Sequence, residues 1–306
     1  MPIYPIAVAR SQLAEQIHYL RNPLPPGHDV CVVCRGPKTP DRELCRCCTE
    51  HRNRAGVHRL ADAVVPISYA FRGHPDLSQH FWTLWNYKVT GSAGHRRHLT
   101  KLFRVFIDAH ARCIGGRLGG QPDWYATVPS SRSRVDHPLH DIAGFSSVER
   151  LNPVINPDYR AEDRRFRLDA FRPFERDVTG SRVLVIDDTW VTGNTAQALA
   201  YRLKRDGAAA VLVMVLGRWA DWRETAWKGL IQESAATTFD TESCVVGLCT
   251  PRPVGLRTVR GRTSRITSPV AVSVCDRGCA LGPRLAPIVA YRPGGAGVWA
   301  AGAGSG

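Results

Sequence analysis

An apolar run that ends in two adjacent acids and a small-residue turn constrains this chain more than any other segment: Val183-Leu184-Val185-Ile186-Asp187-Asp188-Thr189-Trp190-Val191-Thr192-Gly193-Asn194-Thr195. The four aliphatic residues predict a strand buried on both faces of a parallel sheet, with helices on either side. Paired carboxylates do not belong in such a core, so they are expected at the carboxyl edge of the sheet, where open α/β folds bind ligands. Thr192, Gly193, Asn194 and Thr195 then combine hydroxyls with a permissive backbone, which suits an anion. Thr195 or Asn194 is expected to cap a helix over 196–206, where Ala196, Leu199 and Leu203 recur at helical spacing and Gly207 marks the end. The open end of that helix offers amides and partial positive charge to a phosphate. At roughly 1.5–3 kcal/mol for each hydrogen bond to a charged oxygen, three or four backbone donors hold a phosphate without any lysine. Residues 208–216 read as the next strand, completing a right-handed βαβ unit.

The second constraint is a pair of cysteine knuckles, Cys31-x-x-Cys34 and Cys45-x-x-Cys48, separated by ten residues. This spacing suits a tetrahedral structural zinc site, and metal binding contributes on the order of 10–16 kcal/mol to small zinc modules. Cys47 is a fifth sulfur, so the fourth ligand stays open, and His28 and His51 are further candidates. Disulfides are the competing reading. No signal peptide is evident ahead of the cluster, which favours a reducing cytoplasmic setting over a secreted disulfide framework.

The strand, acids and Thr-Gly-x-Thr turn together resemble the type I phosphoribosyltransferases, whose signature holds 5-phosphoribosyl-1-pyrophosphate (PRPP). That resemblance implies a phosphoribosyltransferase-like parallel sheet flanked by helices, with Asp187 and Asp188 as the catalytic carboxylates on the ribose hydroxyls, Asp188 ahead of Asp187. It assigns Thr189 and Val191 to Thr195 to the ribose and 5-phosphate, and Mg²⁺ as the ion that accompanies PRPP. A cysteine ribbon ahead of such a motif resembles the competence-associated ComF family, with broad agreement over most of residues 28–220. By that likeness Lys88, in Tyr87-Lys88, and Arg132 and Arg134, after the strand over 123–129, fall on the pyrophosphate side. The chain departs from the family where an Arg-Gly-Phe-Asn segment is usual, reading Asp136-His137-Pro138-Leu139-His140-Asp141-Ile142-Ala143 instead. His137 and His140 then replace part of the positive charge, or ligand binding survives with weakened turnover. No general base stands out: all eleven histidines precede Asp141.

With 306 residues, the chain accommodates one catalytic domain with attachments. The expected divisions are 1–60 for the amino-terminal segment with the ribbon, 61–120 for a helical link or hood, 121–242 for the core, and 243–306 for a tail. Leu99, Leu102, Phe103, Phe106, His110 and Ile114 keep a helical period in the link, Trp82, Trp85 and Tyr87 read as the buried face of a helix, and the glycines over 115–120 read as a joint. The tail carries eight arginines against one acid, half of the formal net charge of +14, among many Gly, Pro and Ala. It is expected to be disordered, and Cys244, Cys249, Cys275 and Cys279 lack a knuckle spacing. No apolar run approaches the ~20 residues of a membrane span.

The leading expectation is transfer of a phosphoribosyl group to a nitrogen nucleophile; the resemblance leaves a homodimer open, since related enzymes are often dimers, and the sequence itself carries no sign of the oligomeric state. The competing class is a non-catalytic PRPP sensor, or an accessory protein that binds single-stranded DNA or a partner of the competence machinery. The basic balance supports polyanion binding.

Overall fold

The computed structural model of the chain describes residues 5–130, 137–145, 148–159 and 165–246. Arg132, Arg134, Arg164 and everything after Val246, including Cys249, Cys275 and Cys279, lie outside the described residues.

A six-stranded sheet organises the described chain, and every pairing in it is parallel. Its strands are β1 (Ala63–Pro66), β2 (Tyr69–Arg72), β3 (Trp124–Thr127), β4 (Glu149–Leu151), β5 (Arg182–Trp190) and β6 (Ala210–Asp221). The order is β1-β6-β5-β3-β4, with β2 also paired to β6. β1 and β2 continue one another along β6, because Pro66 lies opposite Val215 and Tyr69 opposite Arg218 without a slip in register. The segment expected to be a helical link therefore also supplies the sheet edge.

Period-two alternation divides the core. Leu184 and Ile186 of β5 and Leu212, Met214 and Leu216 of β6 face one side. There they meet α1 (Ile6–Ala14), α3 (Gln79–Val89), α4 (Ala93–Leu118), the short α5 (Leu139–Ile142) and α7 (Thr225–Ala235). Val183, Val185, Val211, Val213 and Val215 face the other side, against α6 (Asn194–Arg205) and the cysteine module with α2 (Arg46–Ala55). A strand apolar at every position thus reflects two covered faces, as the run Val183 to Ile186 predicts.

Three local expectations change. β5 runs through both acids to Trp190, because the long β6 keeps pairing with it as far as Arg218. α6 starts at Asn194 with Gly193 as N-cap and no side-chain cap, so neither Thr195 nor Asn194 caps it. The glycines over 115–120 are not a joint: α4 continues to Leu118 and is capped at Gly119, whose amide donates to the Gly115 carbonyl. The period through Leu99, Phe106 and Ile114 holds, and all six residues of that stripe are buried on α4. Among the described residues no helix is long and apolar enough to cross a membrane.

Candidate functional site

The carboxyl edge of the sheet places Asp187 and Asp188 between the ends of β3 and β6, and gives them different surroundings. Asp187 is partly exposed, and its Oδ1 accepts the Asp188 amide at 2.8 Å. Asp188 is buried at 3% exposure, and its Oδ2 accepts from the Tyr87 hydroxyl and from Lys88 Nζ at 2.5 Å. Both bonds fall on one oxygen.

Tyr87 and Lys88 reach this point because α3 lies directly on β6. A Cβ at Gly217 would stand 2.3 Å from Leu84 Cδ1 and 3.1 Å from Ala70 Cβ, so a larger residue there would force the helix side chains to shift. His80 on the same helix faces the Leu216 carbonyl at 3.1 Å. Gly217 pairs with Thr189, just past the two acids, which fixes the end of α3 over them. Lys88, expected on the pyrophosphate side, is thus an ion-pair partner of Asp188.

The electrostatics follow from this packing. Burial, and next the charge of Asp188, push the Asp187 carboxyl up to about 7, with Lys88 opposing. Burial alone would raise Asp188 too, but Lys88, Tyr87 and His137 outweigh it and hold its carboxyl below the usual range. The inner acid is therefore the ionised member of the pair, while the outer acid is only partly ionised near neutrality and gives up its remaining proton to an approaching cation. His137 is buried, with its ring 6.5 Å from that of Tyr87, and it accepts the Leu139 amide at Nδ1. His140 is drawn to Thr127 Oγ1 at 2.7 Å. Of the two histidines, the structure brings His137 to the acids.

The turn that follows is open. Val191 is 50% exposed, and Thr192, Asn194 and Thr195 are partly exposed. Gly193 has φ 82°, and a Cβ on it would stand 2.0 Å from Trp190 Cζ2, so left-handed backbone and an indole beneath it both require glycine. Gly193 brings no side-chain cap, so the first-turn amides of α6 are not taken up by the cap residue or by intrahelical bonds. The Asn194 amide approaches Thr192 Oγ1 at 3.4 Å. This geometry suits a phosphate through its backbone donors.

Two residues tie this turn to the cysteine module: Arg218, which sequence reasoning missed, and His51, which it offered as a zinc ligand. Arg218 is 5% exposed; its Nη1 donates to the carbonyls of Trp190 at 2.9 Å, Val191 at 3.0 Å and Trp219 at 2.9 Å, and its Nε to the Cys34 carbonyl at 2.9 Å. Its Nη2 stands 3.6 Å from Cys34 Sγ. His51 of α2 faces Asn194 Oδ1 at 2.7 Å. The partners of Arg218 are mostly backbone carbonyls from distant segments, which leave no mark in a sequence.

Cys31, Cys34, Cys45 and Cys48 converge, with one sulfur of each within 4.8 Å of the others and Cys34 Sγ 3.6 Å from Cys45 Sγ. A Zn–S bond of ~2.3 Å requires sulfurs about 3.8 Å apart in a tetrahedron, so the four fit such an ion. Cys47 stays outside the group, His28 is exposed beside Asp29, and His51 is turned to Asn194. Within the cysteine module, the four cysteines of the two knuckles are the set that could hold a metal. Trp82 and Trp85, read as buried, are instead 49% and 46% exposed, whereas Tyr87 is buried.

No family model matches the chain. No curated protein matches it. Among solved structures, a purine phosphoribosyltransferase from Pyrococcus horikoshii Ot3 is similar over 40% of this chain and 88% of that chain, at 14% identity and a TM-score of 0.25.

Proposed function

We propose that the chain binds PRPP at the edge formed by Asp187, Asp188 and the 191–195 turn, and transfers its phosphoribosyl group to a nitrogen nucleophile with loss of pyrophosphate. The observation that carries this reading is the junction itself: a carboxylate pair of unequal proton affinity leads directly into an uncapped helix start with an exposed turn. In this reading Asp187, the more exposed acid, accepts from the ribose hydroxyls. Asp188 holds the fixed negative charge, with Lys88 and Tyr87 orienting it. The amides of Gly193 to Ala196 hold the 5-phosphate, with the hydroxyls of Thr192 and Thr195 beside them. As the C1–O bond to pyrophosphate breaks, positive charge develops on the ribose ring, and a preorganised carboxylate pair below it stabilises that charge. Mg²⁺ bound with PRPP would supply neutralising charge for the leaving pyrophosphate, and Asp187 would be the residue to hold it. Arg132 and Arg134 keep their proposed role on the pyrophosphate side. Zn²⁺ in the four-cysteine cluster is part of the same reading, because its dianionic cage supplies the buried Arg218 with counter-charge.

The test is PRPP with Mg²⁺, measured by thermal shift and by pyrophosphate release with ammonia and nucleobases. Stabilisation with release supports the transferase. Stabilisation without release favours a sensor, and no stabilisation contradicts both. Binding of single-stranded DNA is a second reading, favoured by the exposed Trp82 and Trp85 on the outer face of α3, since aromatic faces stack on bases. Failure to retain an oligonucleotide at low salt contradicts it.

A further inference from the structure

His110 and Cys113 lie three residues apart on α4 and so share a face of the helix. Cys244, in the segment after α7, meets them there, and one ligand atom of each falls within 4.8 Å of the other two. His110 and Cys113 are buried and Cys244 is partly so. The His110 Nε2 stands 2.9 Å from the Thr241 carbonyl, which can only accept, so Nε2 carries the hydrogen. The lone pair then sits on Nδ1, which is buried and has no hydrogen-bond partner. An unpaired buried acceptor is costly, at ~1–3 kcal/mol. Histidine in metal sites is held in this way, with one ring N–H on a backbone carbonyl and the other nitrogen left for the ion. No part of the proposed PRPP chemistry uses these three residues.

We propose that His110, Cys113 and Cys244 form a second metal site, for a thiophilic ion of the zinc class, distinct from the four-cysteine cluster. Two thiolates and an imidazole select Zn²⁺ over Mg²⁺ or Ca²⁺, whose preference is for oxygen. Three protein donors leave one tetrahedral position to water or a small ligand. The ion fastens the chain after α7 onto α4. Around Cys244 that strap is already held by Glu242 on Arg10 at 2.6 Å, by the Val246 carbonyl on Arg117 at 3.3 Å and by the Val245 carbonyl on Arg35 at 3.4 Å. Arg35 directly follows Cys34, so the strap links α4 to the first knuckle.

Elemental analysis of the full chain, dialysed from zinc into reducing buffer, is expected to give about two zinc ions per chain, one for each tetrahedral site. Cys244→Ser and Cys113→Ser are each expected to lose about one while keeping the circular dichroism of the parent. A measurement on the unmodified chain guards against misfolded variants: zinc should slow alkylation of Cys244 by a maleimide at least ~10-fold, as expected for a thiolate held on a metal. Unchanged zinc content in Cys244→Ser overturns the proposal. So does equal alkylation of Cys244 with and without zinc, or a Cys113–Cys244 disulfide in protein purified without reductant.

Discussion

The four-cysteine cluster draws all its ligands from residues 31–48, whereas the carboxylate site draws Tyr87 and Lys88 from α3, His137 from the chain before α5, and Asp187 and Asp188 from β5. The cluster is enclosed, with three of its cysteines buried, while the turn beside the acids leaves Val191 half exposed. One region is a local closed cage suited to holding structure. The other is a long-range open edge suited to a ligand that comes and goes. They are nevertheless joined, because Arg218 donates both to the Cys34 carbonyl and to the carbonyls of Trp190 and Val191. Arg218 thereby links the cysteine module to the turn.

The largest effect should come from the cage. Cys48→Ser removes a buried ligand, and by the energetics of small zinc modules the N-terminal unit should lose its ordered structure. Loss of about one metal equivalent together with loss of PRPP binding is the expected outcome, read by elemental analysis and calorimetry. Full metal content in this variant breaks the contrast. Arg218→Met should cost about 3 kcal/mol or more, since it strips the carbonyls of Cys34, Trp190, Val191 and Trp219 of a buried donor. Retained metal with PRPP affinity weakened ~10-fold or more shows that the tie acts on the turn; unchanged affinity separates the two regions. Gly193→Ala should cost about 1–3 kcal/mol, from its positive φ and the Trp190 ring beneath it, with a lower midpoint in urea and weakened PRPP binding.

The smallest effect is electrostatic. Because the folded state raises the proton affinity of Asp187, its contribution to stability is full below the ordinary carboxyl pKa and lost as pH rises through about 7. PRPP and a cation need the carboxylate, so their affinity should rise through the same window. Asp187→Asn should raise the melting temperature at pH 8 by about 2–4 °C, equivalent to ~1 kcal/mol, and flatten the pH dependence of binding. A lower melting temperature at pH 8 contradicts the raised proton affinity assigned to this acid.

Local pattern explains what was legible. The apolar run of β5, the stripe on α4 and the two knuckles each depend on neighbours in sequence, and the structure returns each. The helix cap was misread because Thr195 and Asn194 are good caps, yet the indole of Trp190 leaves room for Gly193 alone. Trp82 and Trp85 share a helical spacing, but Leu84 takes the sheet-facing position over Gly217 and leaves both indoles outward. Asp188 ranked first from sequence; its burial by Tyr87 and Lys88 depends on a contact across more than a hundred residues. His110 and Cys113 carry the spacing of a helix face and meet Cys244 only in the folded chain, so no knuckle pattern in the sequence marks them.

The most direct measurement is a crystal structure with ribose 5-phosphate and Mg²⁺ at saturating concentration. The phosphate is expected on the amides of Gly193 to Ala196, with the ribose hydroxyls within hydrogen-bonding reach of Asp187. A sugar phosphate bound elsewhere, with the 191–195 turn empty, contradicts the assignment of this edge as the PRPP site.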